Sequence, residues 1–177
     1  MSPPAMPVAD YVKQEGLLDK KIVSIKRIQN MDLWEQYCRK KQQLMRIHCV
    51  KEIQEKRLFH GTDINNVKSI CKYNFDVRLA GKLGDSYGKG VYFAKHASYS
   101  DRHISRHFQP QCGNIRIIFL ALVMIGKSTV GEPHFQKPDH GTLELLHDSC
   151  VDYIDHPTIF VIFDSNQIYP EYLIEYR

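Results

Sequence analysis

No apolar run in this 177-residue chain approaches the ~20 residues that span a bilayer, which argues against a membrane-spanning helix. The opening Met-Ser-Pro-Pro-Ala-Met-Pro lacks the basic and apolar segments of a secretory signal, and reads as a loose end or an interdomain linker. Cysteine is sparse and unpaired in pattern. Cys38, Cys49, Cys71, Cys112 and Cys150 are odd in number, widely spaced and without a Cys-x-x-Cys pair. A disulfide framework is therefore unfavoured, and a reducing intracellular compartment is expected, cytoplasm and/or nucleus. Neither charge sign dominates: 24 Lys and Arg against 20 Asp and Glu leave +4. The densest basic stretch, Arg39, Lys40, Lys41 and Arg46 followed by Lys51, Lys56 and Arg57, has no interleaved aromatic platform. It reads as a solvated helix face rather than a nucleic-acid surface. No Gly-x-Gly-x-x-Gly follows a strand into a helix, and no internal repeat or low-complexity tract occurs.

What is present fits one ordinary globular domain, since chains below ~250 residues seldom split. Residues 1–20 carry prolines and little periodicity and are expected to form a mobile arm or linker, with the folded domain at 21–177. Ile22–Ile28 alternates apolar and polar residues like a strand. Asn30 or Asp32 can cap a helix from Leu33 to about His48, with Leu33, Trp34, Tyr37, Leu44 and Ile47 on one stripe. Arg57-Leu58-Phe59 reads as a short strand ending at His60-Gly61-Thr62. Asp63 caps a helix whose face is Ile64, Val67, Ile70 and Cys71. A glycine-rich loop runs to Gly90, followed by a strand at Val91–Ala94 and a helix near Ala97–Arg102. Ile115–Ile125 is a central strand. Thr158–Phe163 and Gln167–Tyr176, separated by Ser165-Asn166, are expected to form a hairpin.

Three features carry candidate chemistry. His60-Gly61 ends a strand where a glycine lets backbone approach a flat ligand. Gly88-Lys89-Gly90-Val91-Tyr92-Phe93 sets an aromatic just after two glycines. The loop Ala80–Gly90 is too glycine-rich for a core and suits closure over a ligand. Each has an ordinary structural counterpart: a packed histidine, a plain turn, a core tyrosine with a satisfied hydroxyl. The residues taken singly leave function open. His103, His107 and Cys112 have a ligand-like spacing, yet no fourth ligand is evident, and surface histidines without metal are the expectation. Cys71 and Cys150 read as packing residues, and Cys38 or Cys112 as candidate automodification acceptors.

In order and spacing, Leu58-Phe59-His60-Gly61-Thr62, Tyr87–Ala94 and Ala97-Ser98-Tyr99-Ser100 resemble the poly(ADP-ribose) polymerase catalytic domain. Asp148–Val151, Pro157–Phe163 and Tyr169-Pro170-Glu171-Tyr172 extend the likeness, as do Ile28-Gln29-Asn30 and Leu33-Trp34-Glu35 upstream. The nearest likeness is to mono-ADP-ribosylating members that carry CCCH zinc fingers and WWE modules. The resemblance implies an α+β ADP-ribosyltransferase fold, with two antiparallel sheets around an NAD cleft and flanking helices. It implies NAD as co-substrate and an NAD⁺ ADP-ribosyltransferase activity on acceptor proteins including itself. From the residues themselves, no membrane or nucleic-acid partner is expected of this domain, and a monomer is. A pseudoenzyme acting as a binding domain is the alternative.

Residue by residue, His60 matches the histidine that bonds an adenosine-ribose hydroxyl, and Gly61 the residue whose backbone grips the nicotinamide carboxamide. Ser100 matches the hydroxyl that adds a further bond, and Tyr92 the tyrosine packed on the nicotinamide ring. Thr62 and Arg78 fall near the adenosine portion. His103 stands where a second stacking aromatic is usual, with Tyr99 or Phe108 as substitutes. An imidazole there offers less area and titrates near ~6.5, so weaker or pH-sensitive NAD⁺ binding is the expectation. Ile159 falls at the catalytic position that is Glu in polymerising members. Isoleucine cannot activate a ribose hydroxyl, so chain elongation is expected to fail while a single transfer remains. The segment Lys127–His147 matches the variable acceptor-side loop.

Overall fold

The computed structural model describes residues 6–79, 86–108 and 114–177. The chain runs α1 (Val8–Gln14), β1 (Ile22–Arg27), α2 (Met31–Ile47), β2 (Glu55–Gly61), α3 (Ile64–Tyr73), β3 (Val91–Ala94) and α4 (Ala97–His107). It continues through β4 (Arg116–Met124), β5 (Ser128–Val130), β6 (Ser149–Val151), β7 (Ile159–Ile162) and β8 (Ile168–Tyr176). The strands form one sheet in the order β1-β8-β4-β2-β3-β7-β6-β5, antiparallel throughout except β5–β6.

The expected two sheets are two halves of this one. β2 pairs with β4 along its whole length, but touches β3 through the single pair Phe59↔Ala94. Beyond that pair the strands part, and the opening that results positions the site. β4 explains why its sequence is continuously apolar. Ile117, Phe119, Ala121 and Val123 face one core cluster, with Leu58, Phe93 and Phe160. Ile118 and Leu120 face another, with Phe59, Ala97, Ile104 and Tyr176. Strand alternation thus buries both faces.

The caps fall as expected. The Asn30 side chain accepts from the Leu33 N–H, and that of Asp63 from the Asn65 N–H. Asn30 also donates to the carbonyls of Cys71 and Lys72, tying the head of α2 to the tail of α3. Leu33, Tyr37 and Leu44 bury their stripe against Met124 and Tyr169, whereas Trp34 and Ile47 stay partly exposed. Among the described residues, no helix is long and apolar enough to cross a membrane.

Two expectations are corrected. The segment read as an arm holds α1, and Val12 and Leu18 are buried with Phe59, Ala97 and Ile104. Two apolar anchors over so short a stretch leave no periodicity to read; their partners come from distant strands. The last two strands form no hairpin. β7 pairs with β3 and β6, whereas β8 pairs with β1 and β4. Asp164 caps a 3₁₀ turn at Ser165–Gln167, accepting from the Asn166 N–H, and the chain crosses from one half of the sheet to the other. Within that crossing, the buried Gln167 amide donates to the carbonyls of Met124 and Asp148.

Candidate functional site

His60 is the next residue of β2 after the last β2–β3 pair, so its side chain stands where the two half-sheets separate. Its Nδ1 lies 2.7 Å from the Tyr92 carbonyl oxygen. That oxygen can only accept, so Nδ1 carries the proton and Nε2 presents a lone pair. Phe75 meets the imidazole edge-on at 4.8 Å and Phe93 lies tilted at 5.5 Å. Enclosure between these rings desolvates the imidazole and lowers its pKa to about 4; the bond to Tyr92 opposes the shift and nearby His103 adds to it. At neutral pH His60 is a fixed, uncharged acceptor, suited to a ligand hydroxyl.

The shift has a stability consequence. The unfolded imidazole titrates near ~6.5 and the folded one near 4, so between these values the unfolded chain binds the extra proton. Stability is therefore lost as pH falls from ~6.5 towards 4, by about 1.4 kcal/mol per pH unit and about 3 kcal/mol in all from this group. Urea unfolding of the wild-type chain and His60→Gln at pH 7.5 and pH 5 checks this. The difference between the two proteins is expected to shrink by about 2 kcal/mol on acidification.

Gly61 follows, and its lack of a side chain is a packing requirement. A Cβ there would stand 2.7 Å from Ile104 Cγ1 and 2.8 Å from the Ser100 carbonyl oxygen, both on α4. The helix therefore lies directly on the strand end. Asp101 holds it there, accepting from the Tyr176 hydroxyl at 2.8 Å and from Arg116 at 2.7 Å. Buried in this contact, the Tyr176 hydroxyl has its pKa raised, by desolvation first and then by Asp101. Ser100 is buried on the helix. His103, one turn on, is half-buried, with His107 at 4.5 Å and Phe108 at 6.4 Å. Its pKa is lowered by desolvation, then by His107 and Arg106.

Tyr92 of β3 donates its hydroxyl to the Gly88 carbonyl at 2.8 Å and accepts from the Tyr87 N–H at 2.9 Å. The tyrosine thus pins the glycine turn that precedes it. Gly88 takes φ +125°, a conformation that L side chains rarely adopt. The segment Lys127–His147 rests on the same turn, with the Phe135 carbonyl accepting from the Lys89 N–H at 2.8 Å. Ile159, buried at the start of β7, pairs with Ala94. The buried carboxylate nearby, Asp152, is committed elsewhere. It accepts from Thr158 Oγ at 2.6 Å and from the N–H groups of Thr158 and Tyr153.

The remaining candidates have partners of their own. The Thr62 hydroxyl is buried and accepts from Asn66. Arg78 is exposed and forms a fork with Asp76, at 2.9 and 2.8 Å. Tyr99 is 46% exposed, with the Arg102 guanidinium 5.9 Å from its ring. Residues 80–85 of the candidate closing loop, and Cys112, lie outside the described residues. Reading the sequence missed Phe75 and Phe93 as the walls of the His60 pocket and Asp101 as the anchor of α4. Phe93 stood within a quoted motif; Phe75 and Asp101 gave no local signal, because their partners are distant in sequence.

The sequence profile of the poly(ADP-ribose) polymerase catalytic domain matches residues 7–139. The chain belongs to this family. Among its relatives in the poly(ADP-ribose) polymerase family, the protein mono-ADP-ribosyltransferase PARP12 of Mus musculus is 44% identical over 157 residues, which cover 88% of this chain and 21% of the relative. Protein mono-ADP-ribosyltransferase PARP11 of Homo sapiens is 43% identical over 174 residues, covering 89% and 52%. Protein mono-ADP-ribosyltransferase PARP14 of Homo sapiens is 37% identical over 162 residues, covering 89% and 9%. The chain spans about half the length of PARP11 and much less of the others.

Proposed function

We propose that this domain transfers a single ADP-ribose from NAD⁺ to a side chain of an acceptor protein, itself included, and releases nicotinamide. The observation that carries this reading is the neutral His60, with its Nε2 lone pair directed away from Tyr92, beside the bare backbone of Gly61, in a chain that has isoleucine at position 159. The names of these three relatives, each a mono-ADP-ribosyltransferase, agree with it. We place the folded unit from about residue 7 to residue 177, because α1 is packed into the core. We place the domain in an intracellular setting on the odd, widely spaced cysteine pattern of the sequence.

In this reading His60 Nε2 accepts from a ribose hydroxyl, while the Gly61 backbone and Ser100 orient the carboxamide. Tyr92 backs the nicotinamide ring, with His103 on the helix side. Thr62, Arg78 and Tyr99 contribute at the edges. The bond from ribose C1 to the pyridinium nitrogen breaks, and its electron pair neutralises that nitrogen. A lone pair of the acceptor then forms the new bond at C1. Positioning supplies most of the acceleration. Ile159 offers no base, so a carboxylate or thiolate, already ionised, is the nucleophile the site can use, and a neutral ribose hydroxyl is not.

Incubation with labelled NAD⁺ and intact-mass analysis tests this directly. Discrete additions of one ADP-ribose, with nicotinamide released, are expected. Long ladders from the unmodified chain would contradict the role given to Ile159.

A further inference from the structure

The helix α4 starts without a side-chain cap of its own. His96 holds the extended backbone of an N-cap, φ −112° and ψ 128°, but its side chain accepts no bond from the helix. The first N–H groups of a helix have no partner within it, and an uncapped end frays. Here a segment distant in sequence supplies the partner. The Gly16 carbonyl, just past the end of α1, accepts from the Ser98 N–H at 3.1 Å. The Glu15 carbonyl accepts from His96 Nδ1, also at 3.1 Å, so the residue at the cap position is turned to α1 instead. The Tyr99 N–H is served locally by the His96 carbonyl.

Packing fixes this approach. Gly16 is buried, and a Cβ there would fall against the Val12 carbonyl and 2.8 Å from the Phe59 ring. It would also stand 3.1 Å from the Cβ of Ala97, the first residue of α4. Tyr11 stacks on Phe59 with ring centroids 6.0 Å apart, and its hydroxyl donates to the Arg57 carbonyl at 3.1 Å. Phe59 directly precedes His60, so α1 rests on the strand and on the helix that carry His60 and Ser100.

We propose that the end of α1 acts as an external cap on α4, and that Gly16 is thereby a positioning residue for NAD⁺. The first turn of α4 runs from Ala97 to the buried Ser100, and the Asp101 anchor holds the helix only beyond it. The Gly16 bond steadies that first turn from the other side. The role in NAD⁺ binding rests on the transferase reading above, in which Ser100 orients the carboxamide. An interaction made equally in the ground and transition states sets KM and leaves kcat alone. Loss of the cap therefore raises KM for NAD⁺ rather than lowering kcat.

The test compares the wild-type chain with Gly16→Ala, with Val12→Ala, which loosens α1 without adding an atom at α4, and with Leu44→Ala. The last hollows a separate cluster beside Tyr37 and Tyr169 and serves as the control for general destabilisation. In nicotinamide release, KM for NAD⁺ is expected to rise about fivefold in the first two variants, the scale of one helix cap, with kcat within about twofold. Leu44→Ala should leave KM unchanged. Adding His96→Asp to Gly16→Ala gives α4 a side-chain cap of its own and should return KM towards the wild-type value. Amide exchange at Ser98, Tyr99 and Ser100, read by NMR without NAD⁺, should quicken about fivefold in Gly16→Ala and slow again with His96→Asp. Unchanged exchange in folded Gly16→Ala and Val12→Ala would overturn the cap. Faster exchange with wild-type KM, an equal rise of KM in Leu44→Ala, or no recovery with His96→Asp would overturn the positioning role. No nicotinamide release from the wild-type chain would overturn the transferase reading and the NAD⁺ role with it, while amide exchange still decides the cap.

Discussion

His60→Ala is expected to lower kcat/KM for nicotinamide release by on the order of 10²-fold or more while leaving a folded protein. Two losses combine. The ribose loses the acceptor that fixes its orientation, and misplacement of a reacting centre is penalised steeply. The Tyr92 carbonyl also loses the 2.7 Å bond from His60, which loosens β3 near the point where it leaves β2. The cost in stability is about 1 kcal/mol, the usual net worth of one lost hydrogen bond. Steady-state kinetics together with a urea titration separate these effects. Wild-type kcat/KM in a folded His60→Ala protein would remove His60 from the mechanism.

Gly61→Val is expected to abolish NAD⁺ binding and to destabilise the fold by about 1–3 kcal/mol or more. The contacts at stake are with Ile104 and with the Ser100 carbonyl, and backbone cannot rotate aside as a flexible side-chain tip would. Nor can α4 simply swing out, because Asp101 ties it to both Tyr176 and Arg116. The helix must therefore shift along the strand end, carrying Ser100 and His103 with it. Calorimetric titration with NAD⁺ and a thermal melt check both parts. Wild-type affinity with an unchanged melting temperature would show that α4 does not rest on Gly61 as the structure has it.

These two neighbours illustrate how differently the site's residues were legible. His60-Gly61 could be recognised as a motif, and the resemblance supplied the expected roles. The chemical state of His60 could not be recognised, because it depends on Phe75 and Phe93. These rings are brought against the imidazole from after α3 and from β3. The sequence reading assigned Gly61 to close backbone approach by a ligand. The structure adds that a helix needs the same space. Tyr92 read as a ring for stacking; its hydroxyl also hooks Tyr87 and Gly88, a local contact that a motif does not reveal.

Local patterns determined the elements. Asn30 and Asp63 cap helices because their side chains reach N–H groups two or three residues away. The apolar run of β4 announced a strand buried on both faces. Pairing was decided only by the tertiary structure. Ser165-Asn166 looks like a hairpin turn, yet β7 and β8 have apolar demands that different neighbours satisfy, β3 and β6 for one, β1 and β4 for the other. α1 had too few apolar residues to show a period, and it docks because Phe59 and Ala97 offer Val12 and Leu18 a place to bury. Capping and alternation act over a few residues and are written in the chain. Burial depends on which distant surfaces meet, and that is written only in the fold.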